Sequence, residues 1–251
     1  MKYIQDIKDG ERKVILLRVG LDTGAGGQYA PIFDDNTFEY IPIPSNQGKR
    51  TYSDIPSRYN KEKMLLEFFP ERKREQMKAQ NVHEDPEFET FTYGDPAVSR
   101  RGLRKLKKGD MLVFFCGLQR GEGRKAKRAI YLMGYFNVDC AGSVASFTKE
   151  ELAEKFAKNH HVENEKVFNE DSKNNKLTLV KGGEGSRLLT KARCISFRGK
   201  DCAGRPHLHI SKEMQGIFSN FGGKTSLQRA SVKVVKPNYV ERAMNFMRKQ
   251  E

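Results

Sequence analysis

Tryptophan is absent from the 251-residue chain, cysteine occurs only four times, and no apolar run approaches membrane-spanning length. A transmembrane helix needs about 20 predominantly apolar residues, so no membrane association is expected. The first six residues, Met1, Lys2, Tyr3, Ile4, Gln5 and Asp6, hold no apolar signal-peptide core, and a cytoplasmic protein is expected. Cys116, Cys140, Cys194 and Cys202 are nowhere three residues apart, which excludes the paired-cysteine zinc pattern. Cys116 and Cys194 lie in apolar, strand-like runs and read as buried thiols. Cys140 and Cys202 each follow an aspartate in a turn-like stretch. They would pair only if the fold joined them, and such bridges are rare in the cytosol. Acidic residues are also short, 32 against 46 Lys and Arg, for a net charge of +14. That surplus favours an anionic partner such as nucleic acid and says nothing about fold.

The cations gather in clusters within the chain. Arg100, Arg101, Arg104, Lys105, Lys107 and Lys108 form one, and Lys191, Arg193, Arg198, Lys200 and Arg205 another. A third, Arg120, Arg124, Lys125, Lys127 and Arg128, sits in the loop between two apolar runs, 111–116 and 129–138. Gly109 and Asp110 supply a turn before the first run, and both runs are short and bulky enough to be strands. A hairpin with a cationic tip suits a polyanion.

Residues 13–19 predict a strand that is apolar on both faces and therefore central in a sheet. Residues 30–33 and 38–44 predict a hairpin whose second arm, with Pro42 and Pro44, ends or edges a sheet. A helix is predicted over 61–78, broken or restarted at Pro70. Another is predicted over 148–159, with Thr148 and Glu151 spaced as a capping box. Residues 176–181 read as a strand, 187–197 as helix or strand, 232–235 as a short strand, and 239–248 as a closing helix. The expected class is α+β: a mixed, mostly antiparallel sheet or a small β-barrel core with flanking helices. No composition break marks a boundary, so one domain spanning 1–251 is expected.

Several residue groups carry possible chemistry. Arg18 and Asp22 flank the end of the first strand, where ligand sites on sheets tend to lie. The glycines after them, Gly24, Gly26 and Gly27, match neither the dinucleotide nor the nucleoside-triphosphate loop spacing. In His83-Glu84-Asp85-Pro86, an extended backbone turns His83 and Asp85 to one side and Glu84 to the other. Asp22 or Asp95 could add carboxylates for a divalent ion there, although a polar turn before Pro86 accounts for the same residues. His160 and His161 follow the helix at 148–159, where a histidine serves as a dipole contact or as a site residue. His207 and His209 would share a strand face but have no further ligand at a telling distance. Lys181, Ser186 and Arg187 surround a glycine-rich turn with the hydroxyl, cations and free N–H groups that hold a phosphate. If residues 187–193 are helical, Ser186 caps them.

Segments 14–27, 38–44, 83–95, 109–138 and 180–189 together carry a resemblance that covers most of the chain. Its most specific pieces are Leu17-Arg18-Val19-Gly20-Leu21-Asp22-Thr23-Gly24, His83-Glu84-Asp85-Pro86 and Lys181-Gly182-Gly183-Glu184-Gly185-Ser186-Arg187-Leu188-Leu189. The chain resembles the third nucleotide-modification-associated domain family. Carried over, the family's motif positions are Arg18, Asp22, His83, Asp85, Lys181, Ser186 and Arg187, with either His160 or His161. Separately, the hairpin of residues 109–138 is similar to pseudouridine-synthase-and-archaeosine-type (PUA-like) β-barrels, a fold-level analogy only.

These residues support three functional readings. The first is a nucleic-acid-directed protein that recognises or processes a modified nucleobase or nucleotide. It would use His83, Asp85 and Asp22 as catalytic groups and Arg18, His160, Lys181, Ser186 and Arg187 to bind substrate. The second is a nuclease or phosphoesterase in which Asp22, Asp85 and Asp95 hold Mg²⁺ or Mn²⁺. The third is a reader without chemistry. The sequence assigns no residue as a metal ligand under the first reading, and leaves the cofactor, the enzymatic status, and DNA versus RNA versus free nucleotide open.

Overall fold

The computed structural model describes residues 11–250 except Glu122, Cys202, Ala230 and Ser231. Any pairing of Cys140 with Cys202 lies outside the described residues. Strand β1 (Val14–Arg18) runs parallel to β6 (Met111–Arg120) on one side and antiparallel to β12 (Lys233–Val234) on the other. Paired on both sides, it is an inner strand, as its two apolar faces predict. Strand β7 (Lys127–Ser143) returns antiparallel to β6, with a register irregularity at Phe114 and Phe115. It also pairs with β8 (Thr178–Gly182) and β9 (Arg187–Cys194), and β8 pairs with β5 (Thr92–Asp95). The strand order is β12-β1-β6-β7-β8-β5, with β2 (Ala30–Pro31) added to β6. Among the described residues the two ends of this path do not meet. The sheet therefore stays open, and the barrel alternative is corrected to a mixed, mostly antiparallel α+β sheet.

Alternation along the inner strands explains the two cores. Ile15, Leu17, Leu112 and Phe114 enter one, and Val14, Leu16, Val113 and Phe115 the other. The first is aromatic: Phe136 lies 4.7 Å from Phe114 and 5.5 Å from Phe88, edge to face. On the second face, α5 (Lys212–Phe218) and α6 (Val240–Arg248) seal the sheet with Met214, Phe218, Ala243, Met244 and Met247.

Three elements differ from their sequence readings. The stretch at 61–78 is a 3₁₀ turn, Leu65–Phe68, followed by α1 (Glu71–Lys78), with Pro70 at the junction. Proline lacks the N–H that a continuous helix needs and is tolerated only at a helix start. Helix α2 (Lys149–Lys155) has the Thr148–Glu151 capping box but ends at Phe156. The second arm expected of the hairpin at 38–44 meets the first at an isolated bridge, Ile32 to Phe38, where the Glu39 amide donates to the Pro31 carbonyl at 3.2 Å. Its later part, β3 (Ile43–Ser45), pairs instead with β4 (Asn81–His83). The strands β10 (Ser196–Lys200) and β11 (Pro206–Ile210) form a separate ribbon. Cys116 is buried as expected, and burial pushes its thiol up to about 12. Cys194 is exposed, because it falls at the outward-facing end of β9. No helix among the described residues is long and apolar enough to cross a membrane.

Candidate metal and anion site

Strand β4 ends at His83, and a tight turn about Glu84, in which the Asp85 amide donates to the His83 carbonyl at 2.9 Å, leaves His83 and Asp85 lining the same cleft. Glu84 points the other way and accepts a 2.8 Å hydrogen bond from Arg50 Nε. The histidine pair arrives from another direction. Asn159 is fully buried, donates to Thr92 Oγ1 at 3.2 Å and accepts from the His161 amide at 3.1 Å. It caps α3 (His160–Glu163) and pins that short helix against β5. His160 and His161 thus open a new helix rather than close the preceding one, and the dipole contact expected at a C-terminus does not arise. Gly94 on β5 permits the approach: a Cβ there would lie 2.7 Å from His161 Cδ2.

The ligand atoms of His83, Asp85 and His161 all lie within 4.8 Å of one another. His161 Nδ1 bonds Asp171 Oδ2 at 2.7 Å, at the end of α4 (Glu165–Asp171), which leaves Nε2 facing the cluster. That nitrogen is 3.3 Å from Asp85 Oδ2 yet has no hydrogen-bonding geometry to any partner. Asp85 Oδ2 accepts from the Gly94 amide at 2.7 Å, while Oδ1 is buried and unpartnered. His161 Nε2 is thus paired with the carboxylate through charge, while the buried Asp85 Oδ1 beside it keeps capacity for a further partner. Two imidazoles and one carboxylate, with a carboxylate holding the outer nitrogen of one imidazole, are a donor set for a divalent transition metal. Hard-cation sites for Mg²⁺ rely on oxygen donors instead.

Protonation sets a condition on this site, because His161 must release its Nε2 proton before it can hold an ion. Burial works against charge on His161, but its bond to Asp171 and the adjacent Asp85 carboxylate outweigh it and raise the metal-free group to about 9. Burial, aided by repulsion from His83 and His161, lowers His160 to about 3. His160 is therefore neutral at ordinary pH and stacks on His83 with ring centres 4.0 Å apart.

The cleft holds about 510 Å³, and Arg18, Arg100 and Arg229 line it beside the cluster. Asp22 is buried and accepts from Arg229 Nη2 at 2.9 Å and from the Gly24 amide at 2.8 Å, with Arg18 Nε 3.1 Å away. Asp95 faces Arg100 Nε at 3.3 Å and the Tyr93 hydroxyl at 2.8 Å. Both carboxylates proposed as extra metal ligands are thus held by other side chains. Arg100 Nη1 is buried without a partner and Arg100 itself is 8% exposed, which suits a bound anion.

The glycine-rich turn lies elsewhere. Lys181 Nζ donates to the Thr90 carbonyl, and Ser186 Oγ accepts from the Asn137 amide at 3.0 Å. The residues after Ser186 form β9, so there is no helix for it to cap. Arg187 lies over the Tyr135 ring and lines a neighbouring cleft of about 760 Å³. Of the residues named from sequence, the structure brings together Arg18, His83, Asp85 and His160, sets Asp22 behind them, and places Lys181, Ser186 and Arg187 outside.

A family profile described as nucleotide modification associated domain 3 matches residues 13–248. The chain belongs to this family. No curated protein and no solved structure matches it. The family description ties the domain to nucleotides, and the match spans both chain segments that build the His–Asp cluster.

Sequence reasoning missed Asp171, Arg229 and the ligand role open to His161 Nε2. Asp171 gives no signal in the sequence, since its pairing depends on how α3 and α4 pack. Asp171→Asn is expected to lower divalent-ion affinity about 10- to 100-fold, the usual cost of losing an outer partner. Calorimetric titration with Zn²⁺ or Mn²⁺ checks this; unchanged affinity would separate Asp171 from the site.

Proposed function

We propose that the protein is a metal-dependent enzyme acting on a nucleotide or nucleic acid, with the divalent ion held by His83, Asp85 and His161. The observation that carries this is the convergence of the His83, Asp85 and His161 ligand atoms within 4.8 Å of one another, with the buried Asp85 Oδ1 left without a partner. Family membership supports the nucleotide, and the buried, unpartnered Arg100 Nη1 in the cleft supports an anionic group on the substrate. A metal held by three protein ligands keeps open positions where it polarises a substrate oxygen or activates water or oxygen. Arg100 would hold a substrate phosphate, and His160, kept neutral beside the cluster, would offer the substrate a hydrogen bond. The all-carboxylate Mg²⁺ arrangement is less favoured, because Asp22 and Asp95 are committed to arginines.

The test is incubation of the purified protein with nucleotides and oligonucleotides plus Fe²⁺, Mn²⁺ or Zn²⁺, followed by mass spectrometry. A changed nucleoside or shortened strand that disappears with chelator supports the reading. Product formed equally in chelator contradicts it.

A further inference from the structure

Arginines continue past the His–Asp cluster. Arg18 and Arg229 line that cleft and also a second one of about 440 Å³, which Tyr29, Arg128, Arg198 and His207 complete. The two clefts therefore share a wall. Four guanidiniums face the second cleft, against a single carboxylate, Asp22, already engaged by Arg18 and Arg229. Arg128 has neutral neighbours: Nε donates to Gln119 Oε1 at 2.8 Å, and its guanidinium lies 5.4 Å from the centre of the Tyr29 ring. Arg198 is exposed on β10 and has no acidic partner among the described residues. The cleft thus keeps a surplus of positive charge.

Its aromatic is built in. Tyr29 packs onto β6 at Gly117, where a Cβ would lie 2.3 Å from Tyr29 Cε1. Only a glycine in that strand lets the ring settle against the sheet. A cationic groove with an aromatic ring is the chemistry that holds single-stranded nucleic acid: cations meet phosphates, and the Arg128 guanidinium layered on the Tyr29 ring offers a plane to a base. A mononucleotide needs one cleft of the size found at the cluster and would leave the second without a use.

We infer that the substrate is a single nucleic-acid strand, with the reacting nucleotide at His83, Asp85 and His161 and its neighbour in the Tyr29–Arg128–Arg198 cleft. This rests on the proposed metal reading only for which nucleotide reacts.

The experiment compares wild type with Arg128→Gln/Arg198→Gln. Binding of labelled single-stranded DNA and RNA oligonucleotides, a duplex, and a nucleoside monophosphate is followed by fluorescence anisotropy and competition across salt concentrations. Chelator is present throughout, so a failure of the metal reading leaves the result interpretable. The double variant is expected to bind strands about tenfold or more weakly and to lose about 1.4 from the log–log salt slope, two phosphate contacts' worth. Monophosphate affinity and the thermal melt should hold, and Arg128→Lys/Arg198→Lys should restore the slope. The DNA and RNA arms show which strand is preferred. Equal losses for strand and monophosphate, an unchanged slope, or tighter binding of duplex than of strand would overturn the inference.

Discussion

Replacing His161 with alanine is expected to weaken divalent-ion binding by more than about 100-fold, beyond the range seen when only an outer partner is lost. The side chain is 4% exposed, held through Nδ1 by Asp171, and aims Nε2 at Asp85 and His83. Removing it takes away a ligand and also leaves Asp85 and Asp171 without the imidazole between them, so the fold loses stability too. His83→Ala separates the two effects. His83 is more exposed, at 22% of its side chain, and its contacts are ring contacts to His160 and His161 together with Asp85 3.9 Å away. That variant should lose metal comparably while melting close to wild type. If both variants bind metal as wild type does, the cluster is not a metal site.

The second large effect concerns stability. Asp22→Ala is expected to cost about 3 kcal/mol, the usual result of leaving buried charge unpaired. For a chain of this size that corresponds to a melting temperature lower by roughly 10 °C. Asp22 is 3% exposed and joins Arg18, from the end of β1, to Arg229 more than 200 residues later in the chain. Without it, the Arg18 side chain, 11% exposed, keeps a backbone carbonyl, Leu227 O at 2.9 Å, but no carboxylate partner. Thermal melts of Asp22→Ala, Arg229→Ala and the double variant should show less than additive losses, as residues in one network do. A variant that melts like wild type but is inactive would instead make Asp22 catalytic.

The sequence made the inner strands plain, because β1 and β6 carry bulky apolar residues on both faces in runs too short for a buried helix. The capping box at Thr148 and Glu151 was equally local and equally readable. Strand β9 was ambiguous for a physical reason. Its buried residues Leu189 and Ala192 are three apart, a helical interval, and the irregular register opposite Leu132 and Gly134 is what lets a strand accommodate it. At the site, alternation suggested that His83 and Asp85 face one side, and a tight turn about Glu84 rather than a continued strand brings them together. The choice between His160 and His161 did not follow from the sequence, because it depends on Asn159 anchoring α3 to β5 and on Asp171 reaching back from α4. Arg229 was invisible for the same reason: its role exists only once the chain returns past Asp22.

The central claim, a divalent ion at His83, Asp85 and His161, is tested most directly by titrating metal-stripped protein with Fe²⁺, Mn²⁺ and Zn²⁺ in a calorimeter. The account predicts one tightly bound ion per chain in wild type and none in His83→Ala or His161→Ala. Absence of binding in folded wild type, or equal binding in the variants, would contradict it.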